Sequence, residues 1–340
     1  MPNMNLSILM FSLLIMVRII TIKLPARAFI YASFIVFFLV SVFRPLESGI
    51  DTAFYVARYI ENASLTHSQF LDVYFSSDTK DPFFYYLSYL FSLLGFNEQA
   101  WLATIAFIFS LSVCLTVARY SKFHFLSFCL FLALGYVTFS FSGLRQTIAL
   151  SITILSIPFL VERRALGFWS LVLLASLFHL SAISFSFTWF LNRKIKLIYL
   201  IIIVILVLSA TLLFEHQIRV LISIFAPGHL SEYAERDVAL NYTLLLINVA
   251  MVTFVLVTYF IKSINLSGEK LFLNIMILGL TFQCLSLIIA EFFRLALYFN
   301  VVTINLITWS LHYYETRVSR PTIYILILFS AVMLVLKSTS

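Results

Sequence analysis

Of the 340 residues, 62% are hydrophobic and only 11% are charged, with a mean hydropathy of +1.04. Apolar runs long enough to cross a hydrocarbon core of ~30 Å recur from end to end, which excludes a soluble globular protein; their continuity excludes a β-barrel, whose strands alternate. The net charge of +7 does not point to nucleic acid, because Lys and Arg sit mostly in short loops between apolar runs, where they set topology.

In chain order, Met4–Ile20 has no basic leader and no small-residue cleavage site after it, and reads as a first spanning helix. Further spans are predicted at about 28–43, 99–118, 123–140, 144–161, 196–214, 242–261, 271–290, 294–311 and 321–337. Between 44 and 81 lies an external loop, within which "RPLESGIDTAFYVARYIEN" reads as a turn followed by a short amphipathic, interfacial helix. Residues 82–95 are apolar but short and begin with Pro82, a favoured first-turn residue. Residues 165–191 are long for one span and carry His179 among serines. A second external loop is expected at about 215–240.

Positive charge orders these elements. Arg18, Lys23 and Arg27 place the first loop in the cytoplasm. If 82–95 lies in the interface, Arg119/Lys122 and Arg163/Arg164 both fall inside. Arg193, Lys194 and Lys196 follow them if 165–191 is a broken, re-entrant pair that turns near "FHLS". The predicted fold is therefore all-α: a polytopic integral membrane bundle of about 10–12 transmembrane helices, forming one domain over 1–340. In this topology Arg44, Glu47, Asp51, Arg145, His179, Arg219, Arg236, Asp237, Glu291 and Arg294 gather at the external face.

Several of these residues have the chemistry of a site. Arg145, after Ser142 and Gly143 in "FSGLRQ", sits in the first turn of a helix, where free N–H groups and the dipole favour an anion, and a guanidinium fork suits phosphate oxygens. The alternative is an anchor snorkelling to headgroups; Gln146 beside it favours a pocket. In "EFFRLALYFN", Glu291, Arg294 and Tyr298 share i, i+3, i+7 spacing, either facing a cavity or locking helices together. Arg44, Glu47 and Asp51 share helical spacing if the turn is helical, and Asp51, Tyr55, Arg58 and Asn62 line one face after it; Tyr and Arg beside carboxylates offer the donors and acceptors that sugar hydroxyls need, the alternative being a solvated external helix. His179 is a candidate base or a satisfied hydrogen bonder. His229, Glu232 and Glu235 read as ordinary loop residues. Cys114, Cys129 and Cys284 lie in predicted helices without metal-ligand spacing. Nucleotide-binding, zinc-protease, serine-hydrolase and external D-x-D motifs are all missing. Neither a metal nor a cofactor is expected.

"SGLRQTIALS" followed by "FHLSAI", with "SGIDTAFYVARYIEN", "DPFFYYLSYLFSLLG" and "FRLALYF" in the same order, resembles the EpsG-like branch of Wzy-type exopolysaccharide and O-antigen polymerases. The resemblance implies a metal-independent glycosyltransferase at the outer face of the bacterial inner membrane. It would move a growing glycan from undecaprenyl pyrophosphate onto a lipid-linked repeat unit. It implies catalytic roles for His179, Asp51 and Arg145, and substrate binding by Arg44, Glu47, Tyr55, Gln146, Glu291, Arg294 and Tyr298. The implied partners are the lipid-linked oligosaccharide, membrane lipid and a chain-length regulator, with no nucleic acid. An O-antigen ligase, a sugar acyltransferase and a lipid-linked oligosaccharide flippase are the rival readings.

Overall fold

The computed structural model of the chain describes residues 2–75, 79–191, 196–225, 242–262 and 269–315. In chain order the α-helices are α1 (Pro2–Ile20), α2 (Ala26–Val42), α3 (Thr52–Ala63), α4 (His67–Phe75), α5 (Pro82–Leu93), α6 (Glu98–Tyr120), α7 (His124–Ala133) and α8 (Tyr136–Ser142). They continue with α9 (Leu144–Val161), α10 (Ala165–Phe178), α11 (Leu197–Leu213), α12 (Glu215–Phe225), α13 (Tyr242–Lys262), α14 (Lys270–Leu285) and α15 (Phe292–Glu315). Short 3₁₀ segments cover Leu46–Ser48 and Leu180–Trp189. Among the described residues no strand occurs, as long apolar runs require, because a helix satisfies its backbone polar groups within one segment. Helices α6, α9 and α15 are long and apolar enough to cross a membrane, α7 and α8 make one further bent span, and α1, α2, α10, α11, α13 and α14 supply shorter apolar helices. The chain is a polytopic helical membrane protein. The predicted span at 321–337 and residues His229, Glu232, Glu235, Arg236 and Asp237 lie outside the described residues.

The described residues form two compact units, one drawn from Met1–Ile183 and from His312 onward, the other from Ser184–Leu311. In the first, α9 packs against α10 and α6, α6 against α2, and α5 against α3 and α10. Aromatic side chains fill the gaps between α2 and α7: Phe29 and Phe37 meet Phe128 edge-on, with centroids 5.9 and 5.3 Å apart. Large apolar side chains left exposed on α1, among them Leu9, Met16 and Ile19, give a surface suited to hydrocarbon. In the second unit α14 packs against α11 and α13. Asn248 of α13 donates to Gln283 of α14 at 3.3 Å, a buried polar contact of the kind that joins helices in lipid.

Two breaks position the site. Glycine 135 adopts φ +76°, a left-handed conformation that costs other residues strain, and ends α7. The stretch read as one span over 123–140 is therefore two helices bent by 48°. Helix α10 ends at His179, whose backbone is extended (φ −158°, ψ 114°), and the 3₁₀ segment follows directly. This end falls within "FHLS", where a break was expected. The 44–81 loop is itself helical, with α3 burying Thr52, Tyr55, Tyr59 and Asn62 on one face. Helix α5, with Pro82 in its first turn, has 12 residues and a length of about 18 Å, too short to cross.

Candidate functional site

The site begins where two Ser-Gly turns meet. The backbone N–H of Ile50 donates to Ser142 Oγ at 3.1 Å, and the Thr52 hydroxyl donates to the Phe141 carbonyl. Gly49 makes this approach possible, since a Cβ there would overlap the Phe141 carbonyl oxygen and Thr52 Oγ1. The start of α3 is thereby fastened to the start of α9, which brings Tyr55 to Arg145.

Arg145, in the first turn of α9, donates from Nε to the Tyr55 hydroxyl at 3.2 Å. Its Nη1 donates to the Lys80 carbonyl and to Asp81 Oδ2, both at 3.0 Å. The same Asp81 oxygen lies 2.8 Å from His179 Nδ1, while Asp81 Oδ1 accepts from the Leu180 N–H at 3.2 Å. One carboxylate therefore bridges the arginine and the histidine, linking the starts of α5 and α9 to the end of α10. The Asp81 side chain is 9% exposed, against 22% for Arg145 and 20% for His179. Its backbone is left-handed (φ 55°) immediately before Pro82, a conformation that costs of order 1–3 kcal/mol and persists only where surroundings impose it.

Burial alone would raise the Asp81 carboxyl. The hydrogen bond and charge of His179, the charge of Arg145 and the Leu180 N–H together outweigh it and hold the group below its ordinary value. Asp81 is thus an ionised acceptor at neutral pH. An acceptor-only carboxylate requires His179 to carry its proton on Nδ1 when the imidazole is neutral, leaving the lone pair on Nε2. That is the arrangement of an oriented general base. Arg145 also lines a cavity of about 380 Å³ together with residues of α3, α4 and α5. Burial pushes the Tyr85 hydroxyl in its wall up to about 12, with the Arg145 charge opposing, so this group is a protonated donor.

The other expected residues are placed differently. Tyr55 joins the cluster through Arg145, and its ring meets Phe84 edge-on at 5.5 Å. Asp51 and Glu47 are exposed, and neither carboxylate makes a hydrogen bond or ion pair among the described residues. Arg44 is buried, donates to the Ser41 carbonyl, and lies 4.8 Å from the centroid of Phe141. Burial pushes its guanidinium down to about 10, still a cation at neutral pH. It braces the ring beneath the Ser-Gly junction and does not border the cavity of Arg145. Gln146 is buried in α9. Glu291, Arg294 and Tyr298 belong to the second unit. There Arg294 is exposed while Tyr298 is fully buried, so their helical spacing does not make one accessible face.

Sequence reasoning missed Asp81, the residue on which the cluster turns. Its signal was the Asp-Pro step opening the short apolar helix in "DPFFYYLSYLF". Among the described residues no group of three or more His, Cys, Asp or Glu is placed to hold a metal.

No curated protein and no solved structure matches the chain. A family model, that of the EpsG family, matches residues 27–340, which takes in Tyr55, Asp81, Arg145, His179 and every helix from α3 onward. The chain belongs to the EpsG family.

Proposed function

We propose that this polysaccharide-polymerase-type membrane protein transfers a growing glycan from undecaprenyl pyrophosphate onto a lipid-linked repeat unit, with His179, Asp81 and Arg145 at the reacting centre. The observation that carries the reading is the single carboxylate of Asp81 shared by His179 and Arg145, which sets a base beside an anion-holding cation. In the reaction an acceptor hydroxyl oxygen forms a bond to the anomeric carbon of the donor glycan. Its proton passes to His179 Nε2. The bond from that carbon to the diphosphate oxygen breaks, and the electron pair leaves with the diphosphate. Asp81 fixes the tautomer of His179 and steadies the imidazolium that forms. Arg145 stabilises the charge gathering on the leaving group, the largest kind of term in such sites. Asp51, the other candidate base, stands outside this cluster.

An outward-facing site is supported by the arrangement of charge along α9. Arg145 opens the helix, whereas Arg163 and Arg164 follow its last turn, about 27 Å away along 18 residues. Arg119 joins that far end by pairing with Glu162. Basic residues of this kind mark the cytoplasmic side, which leaves Arg145 and His179 toward the outside. A deletion strain tests the function. Loss of long glycan with retention of a single capped repeat unit is expected. Loss of all surface glycan would instead indicate a ligase or flippase.

A further inference from the structure

The cavity beside the cluster has a second cation on its wall. Besides Arg145 it is lined by Phe54 and Arg58 of α3, Val73 and Tyr74 of α4, Thr79 and Lys80 ahead of α5, and Tyr85 within it. Its volume of about 380 Å³ falls within the ~300–1,000 Å³ of small-ligand pockets. Among the described residues that line it, the charged ones, Arg58, Lys80 and Arg145, are all basic. The wall is stiff: the Tyr74 ring stacks on Tyr85 at 4.8 Å and on Phe70 at 4.6 Å, and Phe70 stacks on Tyr89 at 4.5 Å. The Tyr74 hydroxyl is tied to Asn62 Oδ1 at 2.9 Å. Arg58 lies over the Phe54 ring and pairs with Glu61 at 2.9 Å. That pair is exposed on both sides, at 41% and 60%, so it contributes little and gives way readily.

We propose that Arg58 and Arg145 form a two-guanidinium subsite for a diphosphate ester, with Lys80 adding charge and the Tyr74–Tyr85 stack forming its wall. Arg145 is fixed by Tyr55, the Lys80 carbonyl and Asp81, which occupy Nε and Nη1 and leave Nη2 to face a ligand. Arg58 is the adjustable partner, which exchanges Glu61 for the second phosphate. Two guanidiniums match two phosphate groups better than one: Arg145 reaches one through Nη2, and Arg58 engages the other through its fork once Glu61 is released. This assignment rests on the polymerase reading for the identity of the ligand, but not for the existence of the subsite.

The test is binding of farnesyl diphosphate, farnesyl monophosphate and phosphatidylglycerol nanodiscs to the purified full-length chain. The wild type is expected to bind the diphosphate about tenfold more tightly than the monophosphate. Arg58→Gln should weaken diphosphate binding by about tenfold, the loss of a charge-assisted contact, and bring it to the monophosphate level. Glu61→Gln, which releases Arg58, should bind the diphosphate at least as tightly as the wild type. Arg219→Gln, on α12, should not change binding. If Arg58→Gln fails to fold, Arg58→Lys keeps the charge without the fork and should bind several-fold more weakly. Equal affinity for mono- and diphosphate, unchanged affinity in the Arg58 variants, or phosphatidylglycerol displacing the diphosphate at equal concentration would each overturn the subsite. Diphosphate binding that depends on Arg58 in a protein that never polymerises would leave the subsite standing and remove the polymerase reading. Polymerisation with Arg58-independent diphosphate binding would do the reverse.

Discussion

Replacing Asp81 with asparagine separates the roles assigned to this carboxylate. The wild-type group accepts from His179 Nδ1, Arg145 Nη1 and the Leu180 N–H at 2.8, 3.0 and 3.2 Å. An amide of the same shape has one acceptor oxygen: its NH₂ meets the Leu180 N–H in one orientation and both His179 and Arg145 in the other. Whichever way it sits, donors face donors. If the NH₂ meets His179, the ring is driven to carry its proton on Nε2 and to accept at Nδ1, which removes the lone pair from the acceptor side. Two charge-assisted hydrogen bonds at a mostly buried position also become neutral or are lost, worth about 2–3 kcal/mol of stability. The expected outcome is a folded protein, destabilised by that amount in equilibrium denaturation, whose turnover rate falls by about 10²–10⁴-fold. Turnover would be followed with lipid-linked repeat units at saturating donor and acceptor. Near-normal turnover in a protein with the predicted loss of stability would make Asp81 a structural strut and refute its role in setting the His179 tautomer.

Other predictions follow from the same geometry. Asp81 is held below its ordinary value, so the stability it supplies is present above the unfolded value of 3.8 and is lost as pH falls through the lowered folded value. In Arg145→Gln one of the influences lowering it is gone, and the acid limb of both stability and residual activity should shift to higher pH; an unshifted limb would deny the coupling. Arg145→Lys keeps the charge, but one ammonium cannot reach Tyr55, the Lys80 carbonyl and Asp81 together, and turnover should fall about 10²-fold; wild-type rates would exclude the bidentate role. Gly49→Ala forces a methyl group against the Phe141 carbonyl and should cost about 1–3 kcal/mol in unfolding measurements. Asp51→Asn, at an exposed carboxylate, should change stability by less than about 0.5 kcal/mol and leave polymerisation intact; abolished polymerisation would return the base to Asp51.

The spans were legible wherever hydropathy alone decides the outcome. Helix α9 covers Leu144–Val161, the range expected from its apolar run, and α6 exceeds its predicted range only at the ends. The helix end at His179 was expected for a different reason: an even number of crossings over 165–191 would keep the basic residues on either side of it on one face. Gly135 was overlooked because one glycine in a continuous apolar run carries little periodic signal, although its left-handed backbone bends the span. Parity placed Arg44 among the polar group, but it could not foresee burial against Phe141 of α8, almost a hundred positions away. Asp81 was hidden because its value lies in three contacts, from Arg145 64 positions away, His179 98 away and Leu180 99 away. Its one local trace, the Asp-Pro step in "TKDPFF", marks a helix start and says nothing of these partners.

The account turns on whether His179, held by Asp81, takes the acceptor proton beside Arg145. The most direct measurement is polymerisation by the purified full-length chain supplied only with lipid-linked repeat units, comparing wild type with His179→Ala and Asp81→Asn. The predicted result is a ladder of lengthening glycan in the wild type and almost none in either variant, with all three proteins folded. A comparable ladder from the His179→Ala protein, or no ladder from the folded wild type, would contradict it.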